Sequence, residues 1–325
     1  MAKAFTERDT QKFREEVIFE KGFGVIEDSP WNVGSGTGSS ASTSSSTLIA
    51  WNGISLPDPN YGITLSGGED VAFLIRQSNG AIVGGDLTGN NRGSDSIDIQ
   101  TNRFGNLTKV ASGDGSIAVG TFAEATNGST IAIGSACSAT AGSSNAIGRV
   151  CITSGLQSSA FGYRCQTSAS GSLAIGNRSI SYNFGQTSIA TQAGRAVDGD
   201  SQMSILQFTS TTSNNTQTEM SLSRFATIRA VLPANRCWFA TIDIAAVQSN
   251  YSRAYAWKIR CLIKRDGSNN TSISGVNIVE ELGDSVPWTV LVDADDTNES
   301  LRIRVTGESA TTIHWSSTAI IKEVG

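Results

Sequence analysis

Few side chains in this 325-residue chain have types and spacing that could do chemistry. The one histidine, His314, lies between Ile313 and Trp315 in a strand-like run, and no nucleophile elbow accompanies it. A histidine seated in a sheet is the plainer reading than a Ser-His-Asp or Cys-His site. The five cysteines form neither a CxxC pair nor a Cys/His metal spacing. Cys137, Cys151 and Cys165 are each fourteen residues apart, which fits stacked positions about 4.8 Å from one another. That distance lies inside the Cα window of a disulfide, but small, reduced, buried residues explain them more simply. Cys237 and Cys261 sit in strand runs and read the same way. The acidic stretch Asp293, Asp295, Asp296, Asn298 and Glu299 has enough oxygen for calcium but lacks the glycine and spacing of an EF-hand loop. A turn between two strands accounts for it equally well. No catalytic, cofactor-binding or metal-binding residue is therefore assigned, and no cofactor is expected.

The cysteine spacing belongs to a larger pattern. Between Ser112 and Gly194 one phrase recurs five times: Ser116-Ile117-Ala118-Val119-Gly120, Thr130-Ile131-Ala132-Ile133-Gly134, Ser144-Asn145-Ala146-Ile147-Gly148, Ser158-Ser159-Ala160-Phe161-Gly162 and Ser172-Leu173-Ala174-Ile175-Gly176. Its glycines, Gly120, Gly134, Gly148, Gly162 and Gly176, are fourteen residues apart. A sixth copy, Ser188-Ile189-Ala190-Thr191-Gln192, reads as two residues late and without the glycine. A fixed period means one structural unit stacked repeatedly. Fourteen residues hold two short strands and two turns; a three-sided β-helix needs on the order of twenty or more per coil. The spacing therefore predicts a flat, two-sided parallel β-roll. Side chains alternate across a strand, so the Ala118 series faces the narrow space between the sheets. Val119, Ile133, Ile147, Phe161 and Ile175 then form a stripe on the opposite face, which a lone roll leaves wet. Such a stripe calls for a partner surface, and symmetric self-association is the economical one.

The Ser-x-Ala-Ile-Gly phrase at this period resembles the head repeats of trimeric autotransporter adhesins, which implies a left-handed parallel β-roll packed as a trimer. The flanks are similar to bacteriophage tail-fibre proteins. Asn91-Arg92-Gly93, Ser96-Ile97-Asp98-Ile99-Gln100, Arg103 and Val110-Ala111-Ser112-Gly113 resemble the lead-in to their repeats. Trp288-Thr289-Val290, Asp295-Asp296-Thr297-Asn298, Leu301 to Glu308 and Thr312-Ile313-His314-Trp315 resemble their end domain. The resemblance covers residues 89 to 325. It implies a homotrimeric virion fibre, assembled in the host bacterial cytoplasm, that adheres to a host surface receptor, with glycan the expected class. It also implies a second virion protein, in the tail, baseplate or capsid, held through the N-terminus. A capsid- or neck-attached decoration fibre is the alternative. A glycan-cleaving spike with paired carboxylates is a third, but fourteen-residue rungs leave no room for an open substrate groove.

Composition agrees with an extended, strand-rich structural protein: 16% of residues are charged and 34 are glycine. A net charge of −5 gives no basic footprint for nucleic acid, and no apolar run is long enough to span a membrane. Met1 to Asp9 turns charged at once, unlike a secretory leader. Residues 1–31 read as an attachment segment with a short helix over 6–21, and residues 32–47, nearly all Gly, Ser, Thr and Ala, as a flexible linker. Residues 48–111 read as a small β region leading into the shaft, and 112–203 as the roll. From 204 to 325, strand-length runs of β-branched and aromatic residues predict an antiparallel β-sandwich knob. The runs are Ser204 to Thr209, Phe225 to Leu232, Cys237 to Val247, Ala254 to Ile263, Ser274 to Val279, Trp288 to Asp293, Leu301 to Thr306 and Thr311 to Lys322. Trp238, Tyr251, Tyr255, Trp257 and Trp288 could stack on sugars, but at strand spacing they are expected in the core. No receptor-contact residue is assigned.

Overall fold

A computed structural model describes residues 54–55, 64–65, 75–76, 81–85, 89–191 and 197–325. The expected N-terminal helix and the Ser/Gly linker lie outside the described residues. Every regular element described is a β-strand. The chain divides into two units, Met1–Gly85 and Asp86–Gly325. In the first, Ile54–Ser55 pairs antiparallel with Thr64–Leu65, and Ile75–Arg76 with Ile82–Gly85.

The second unit opens with the roll. Its long strands, Ile117–Thr121, Ile131–Ser135, Asn145–Arg149, Ser159–Tyr163 and Leu173–Asn177, stack in parallel with partners fourteen residues apart. The short strands Glu124–Ala125, Ser138–Ala139, Ile152–Thr153, Gln166–Thr167 and Ile180–Ser181 form the second parallel sheet. Between the sheets lie Ala118, Ala132, Ala146, Ala160 and Ala174, with Ala123, Cys137, Cys151 and Cys165, all fully buried. Only small side chains fit so narrow a gap, which is why each rung repeats alanine there. The leading Ser or Thr of each phrase is buried as well, and its hydroxyl is hydrogen-bonded: Ser116 donates to the Ala125 carbonyl at 3.3 Å and Ser144 accepts from Thr153 Oγ1 at 3.0 Å. Thr130, Ser158 and Ser172 each donate to a carbonyl three residues back, at 2.7 Å.

The phrase glycines are set by the rung above them. A Cβ built on Gly148 would stand 2.0 Å from the Gly162 carbonyl oxygen, and Gly120, Gly134, Gly162 and Gly176 are equally crowded. Each also holds a positive φ, between 105° and 128°. The reading of the sixth copy as late is corrected by this ladder. Thr187–Ala190 pairs Ser188 with Ala174, Ile189 with Ile175 and Ala190 with Gly176, so the spacing remains fourteen. Ser188 takes the buried alanine place and Ala190 the glycine place. The next described strand, Ser201–Thr212, pairs antiparallel, so the parallel stacking that crowds the five phrase glycines does not continue past Ala190 among the described residues.

The roll also starts earlier than its repeats. Ile97–Asn102 joins the same sheet, Ile97 beside Ile117 and Ile99 beside Val119, twenty positions apart instead of fourteen. Its inner residues are charged or polar where later rungs hold Ala and Gly. Asp98 is fully buried and accepts from Arg92 Nε at 2.7 Å, Arg103 Nη2 at 2.8 Å and Gln100 Nε2 at 2.8 Å. Gln100 also takes the Ala123 N–H at 2.8 Å. This polar plug closes the alanine-lined interior, as solenoid ends require.

At the other end the long-strand sheet continues without a break. Thr187–Ala190 pairs antiparallel with Ser201–Thr212, and the order proceeds through Ile313–Val324, Arg236–Gln248 and Ala254–Arg265 to Thr271–Gly283. A second antiparallel sheet centres on Ser300–Thr306, with Thr289–Asp295 on one side and Gln217–Glu219 and Ala230–Val231 on the other. The two sheets bury one core: Leu206, Phe208, Trp238, Ile242, Trp257, Ile259 and Trp315 from the first meet Val292, Leu301, Ile303 and Val305 from the second. Strict alternation places them, since Trp238, Ala240, Ile242, Ile244 and Ala246 turn inward from one strand. Removing water from a large apolar side chain contributes about 1.5–3 kcal/mol. Most of the expected strands extend by one to several residues. The run Phe225 to Leu232 does not: only Ala230–Val231 is strand, because Ser221 Oγ binds the Ala226 and Ile228 carbonyls and the Ile228 N–H and folds that stretch back.

Roll and core meet at a buried carboxylate. Glu323 accepts from Tyr182 Oη at 2.7 Å and Gln202 Nε2 at 3.1 Å, with Arg236 Nε at 3.3 Å. Burial raises the Glu323 pKa above the ordinary glutamate value, against the pull of Tyr182, Gln202 and Arg236. An acid whose folded pKa is raised contributes stability that is full below its unfolded pKa and is lost as pH rises through the folded one. The urea midpoint of Glu323→Gln should therefore fall less than that of the native chain as pH rises from about 4 to about 8, the range above the ordinary glutamate pKa. Identical slopes for the two proteins would remove the buried carboxylate from the pH response.

Candidate self-association surface

The roll presents two unlike outer faces. On the short-strand side Glu124, Ser138, Ile152, Gln166 and Ile180 point outward. Asp198 binds Arg164 and Arg178 there, and Gln166 Nε2 reaches it at 3.4 Å. On the long-strand side Val119, Ile133, Ile147, Phe161 and Ile175 point outward as the alternation predicts. The first three are half-buried, while Phe161 and Ile175 are 37% and 36% exposed.

Register lengthens this row at both ends. Ile99 precedes Val119, and Ile189 follows Ile175. Ile189 then lies beside Met203, Met203 beside Lys322, Lys322 beside Phe239, and Phe239 beside Leu262. A second row runs next to it, from Ile97, Ile117 and Ile131 through Asn145, Ser159, Leu173 and Thr187 to Ile205, Ile320 and Thr241. Sequence reasoning missed Ile99, Ile189, Met203, Phe239 and Leu262. The signal for Met203 was present: it alternates with the buried Gln202 and Ser204.

The other sequence candidates are accounted for by their neighbours. All five cysteines are free thiols, and all but Cys237 are buried. Cys137, Cys151 and Cys165 each point a thiol at the glycine carbonyl of the next rung, at 3.2, 3.1 and 3.2 Å. The neighbouring Cys151 thiol, and then burial, push Cys137 and Cys165 far above the thiol range, and those two neighbours pull Cys151 down. His314 stands exposed on its strand, with Thr211 Oγ1 3.4 Å from Nδ1. In the acidic stretch, Asp293 accepts from Arg302 and Arg304. Asp295 caps the turn by taking the Thr297 and Asn298 N–H groups, and Glu299 pairs with Arg265. The hydrogen bond from the Asn298 side chain, with those turn amides, lowers the Asp295 pKa against its burial. Trp238, Trp257 and Trp288 are core residues; Trp257 and Trp315 stack at 5.8 Å, and Trp288 meets Trp315 edge-on at 6.1 Å. Tyr255 is half-buried, and Tyr251, at 81%, is exposed in a turn.

Further along the outer sheet face lies a shallow cleft of about 380 Å³, lined among others by Asp243, Ala245, Lys258, Glu280, Leu282 and Ser316. Among the described residues no group of His, Cys, Asp and Glu is arranged to hold a metal ion, and no helix is long and apolar enough to cross a membrane.

No protein-family model matches the sequence, and no curated protein matches it. Among solved structures, the chain is similar to the tailspike protein of Acinetobacter baumannii phage AM24, at 9% identity and a TM-score of 0.25, over 72% of this chain and 44% of that one. It is also similar to the tailspike protein of Acinetobacter phage vB_ApiP_P1, at 8% identity and a TM-score of 0.20, over 72% of this chain and 54% of that one. The chain thus spans about half the length of the tailspikes it matches.

Proposed function

We propose that this chain is a self-associating structural fibre of a tailed bacteriophage. In this reading three copies pack through the long-strand face of the roll, and the C-terminal unit adheres to a host surface receptor. The observation that carries the reading is the outward row from Ile99 to Ile189, one large apolar side chain per rung on a face with no partner among the described residues. Side chains of that size repeated along a solenoid are stabilised when a second surface removes them from water. The left-handed roll, the trimer, the virion location and the glycan receptor follow from the resemblance of residues 89–325 to phage tail fibres. Weak contacts by three identical ends would gain by avidity. In this reading the fibre acts by binding; His314 and the acidic stretch make sheet and turn contacts.

The mass of the full-length protein in solution, measured by light scattering, tests the reading. Three times the 34.0 kDa chain is expected. A single-chain mass would leave the row uncovered and remove the fibre. For adhesion, the full-length protein should compete with phage particles that carry it for adsorption to their host. An oligomer that does not compete would be a decoration fibre.

A further inference from the structure

We propose that a second copy of this chain covers the near half of the outer C-terminal sheet face as well as the roll, in one uninterrupted interface. The inference rests on the self-association reading above and extends it to residues the repeats do not contain.

Two observations carry it. The first is continuity: the strand that ends the roll is hydrogen-bonded to Ser201–Thr212, so a partner lying along Phe161, Ile175 and Ile189 is led directly onto Met203. The second is where the apolar character stops. Met203, Phe239 and Leu262 continue the first row of the roll, Ile205 and Ile320 continue the second, and Val324 flanks them. Met203, Phe239, Leu262, Ile320 and Val324 are between 39% and 59% exposed. One step further across the same face the positions are Gln207, Thr318, Asp243 and Lys258, and the next are Thr209, Ser316, Ala245 and Ala256. Across these four strands, five of the eight outward positions in the registers shared with the roll are large and apolar, the others being Lys322, Thr241 and Arg260, and none of the next eight is; Leu282, on the following strand beside Ala256, is the exposed apolar residue beyond that line. A sheet face selected only for contact with water has no reason to change at that line. A face covered by a partner as wide as the roll does. Lys322 lies within the patch, where its four-carbon stem can pack while the ammonium reaches the rim. The cleft by Asp243 and Glu280 falls outside the covered half and stays open to other ligands.

The chain carries its own reporter. Cys237 is paired with Val324 across the strands at the edge of this patch, and it alone among the five cysteines is half-exposed. The full-length protein, confirmed as an oligomer, is treated with a polyethylene-glycol maleimide, and labelling is read by peptide mass. Ser268→Cys, in an exposed turn, sets the open rate. Cys237 is expected to react at least tenfold more slowly than that position. Leu262→Glu, at an exposed position whose charge the free chain tolerates, is expected to bring Cys237 to within threefold of the open rate. Fast labelling of Cys237 in the native oligomer would overturn the inference and leave roll-mediated association intact. Slow labelling that Leu262→Glu does not relieve would assign the protection to the chain's own packing and overturn it equally. A single-chain mass would instead remove the self-association reading itself.

Discussion

Gly148→Ala is expected to lower the stability of the roll by about 3 kcal/mol or more, since it combines a strained dihedral with overpacking against backbone. The new methyl group would stand 2.0 Å from the Gly162 carbonyl oxygen and 2.9 Å from its carbon, and φ at this position is +127°. Neither neighbour is a side chain that can swing aside. Relief would require breaking the ladder that joins Asn145–Arg149 to Ser159–Tyr163, and Gly162 is held in turn by the rung above. Gly128→Ala is the matched control: it has an ordinary φ, and only the Asp114 carbonyl lies nearby, at 3.7 Å. There the substitution should be neutral or slightly stabilising, because it restricts the unfolded chain. Urea unfolding of the two variants separates the outcomes. Equal midpoints would mean that the glycine period reflects composition and not contact between rungs.

Asp98→Ala should cost about 3–5 kcal/mol, the range for removing one partner of a buried ion pair. By shape the change is benign, for Asp98 occupies the position that alanine fills in the next rung, where Ala118 is its register partner. The penalty is electrostatic: the guanidinium groups of Arg92 and Arg103 bond the same carboxylate oxygen, and both side chains are within 5% of full burial. Asp98→Ala combined with Arg103→Met should recover part of the loss, since an apolar replacement of similar volume no longer carries a buried charge. If the single variant unfolded at the native urea midpoint, the plug would be dispensable and the alanine interior would close by other means.

The roll was legible because its period is written directly in the residues. Gly120 to Gly176 mark the tight approach of successive backbones, and Ala118 to Ala174 mark the narrow interior. The two ends were harder for physical reasons. At Ser188 the phrase Ser-Ile-Ala matched by residue type, whereas the ladder matches by position, and the last rung escapes the steric rule that makes glycine obligatory below it. At Ile97 the opposite holds: the rung is real, but residues 103–109 lengthen its loop and a polar plug replaces its alanine and glycine. In the C-terminal unit, alternation located the long strands well and placed Trp238, Trp257 and Trp288 in the core. It could not show that Met203 and Phe239 continue the outer row of the roll. That relation depends on pairings between residues more than a hundred positions apart, such as Met203 with Lys322.

The fixed register also makes the roll a ruler marked in whole rungs. Partners such as Gly134, Gly148 and Gly162 meet the same atoms at every step, so any one repeat can follow any other. Gaining or losing fourteen residues would change the reach of the roll by roughly 4.8 Å, the spacing of neighbouring strands. It would leave the outer row in phase and both ends unaltered. Gaining or losing thirteen would turn a large side chain into the alanine gap and an alanine into the row. Reach can therefore vary among descendants of this sequence in steps of one size, without a new interface having to arise at any step.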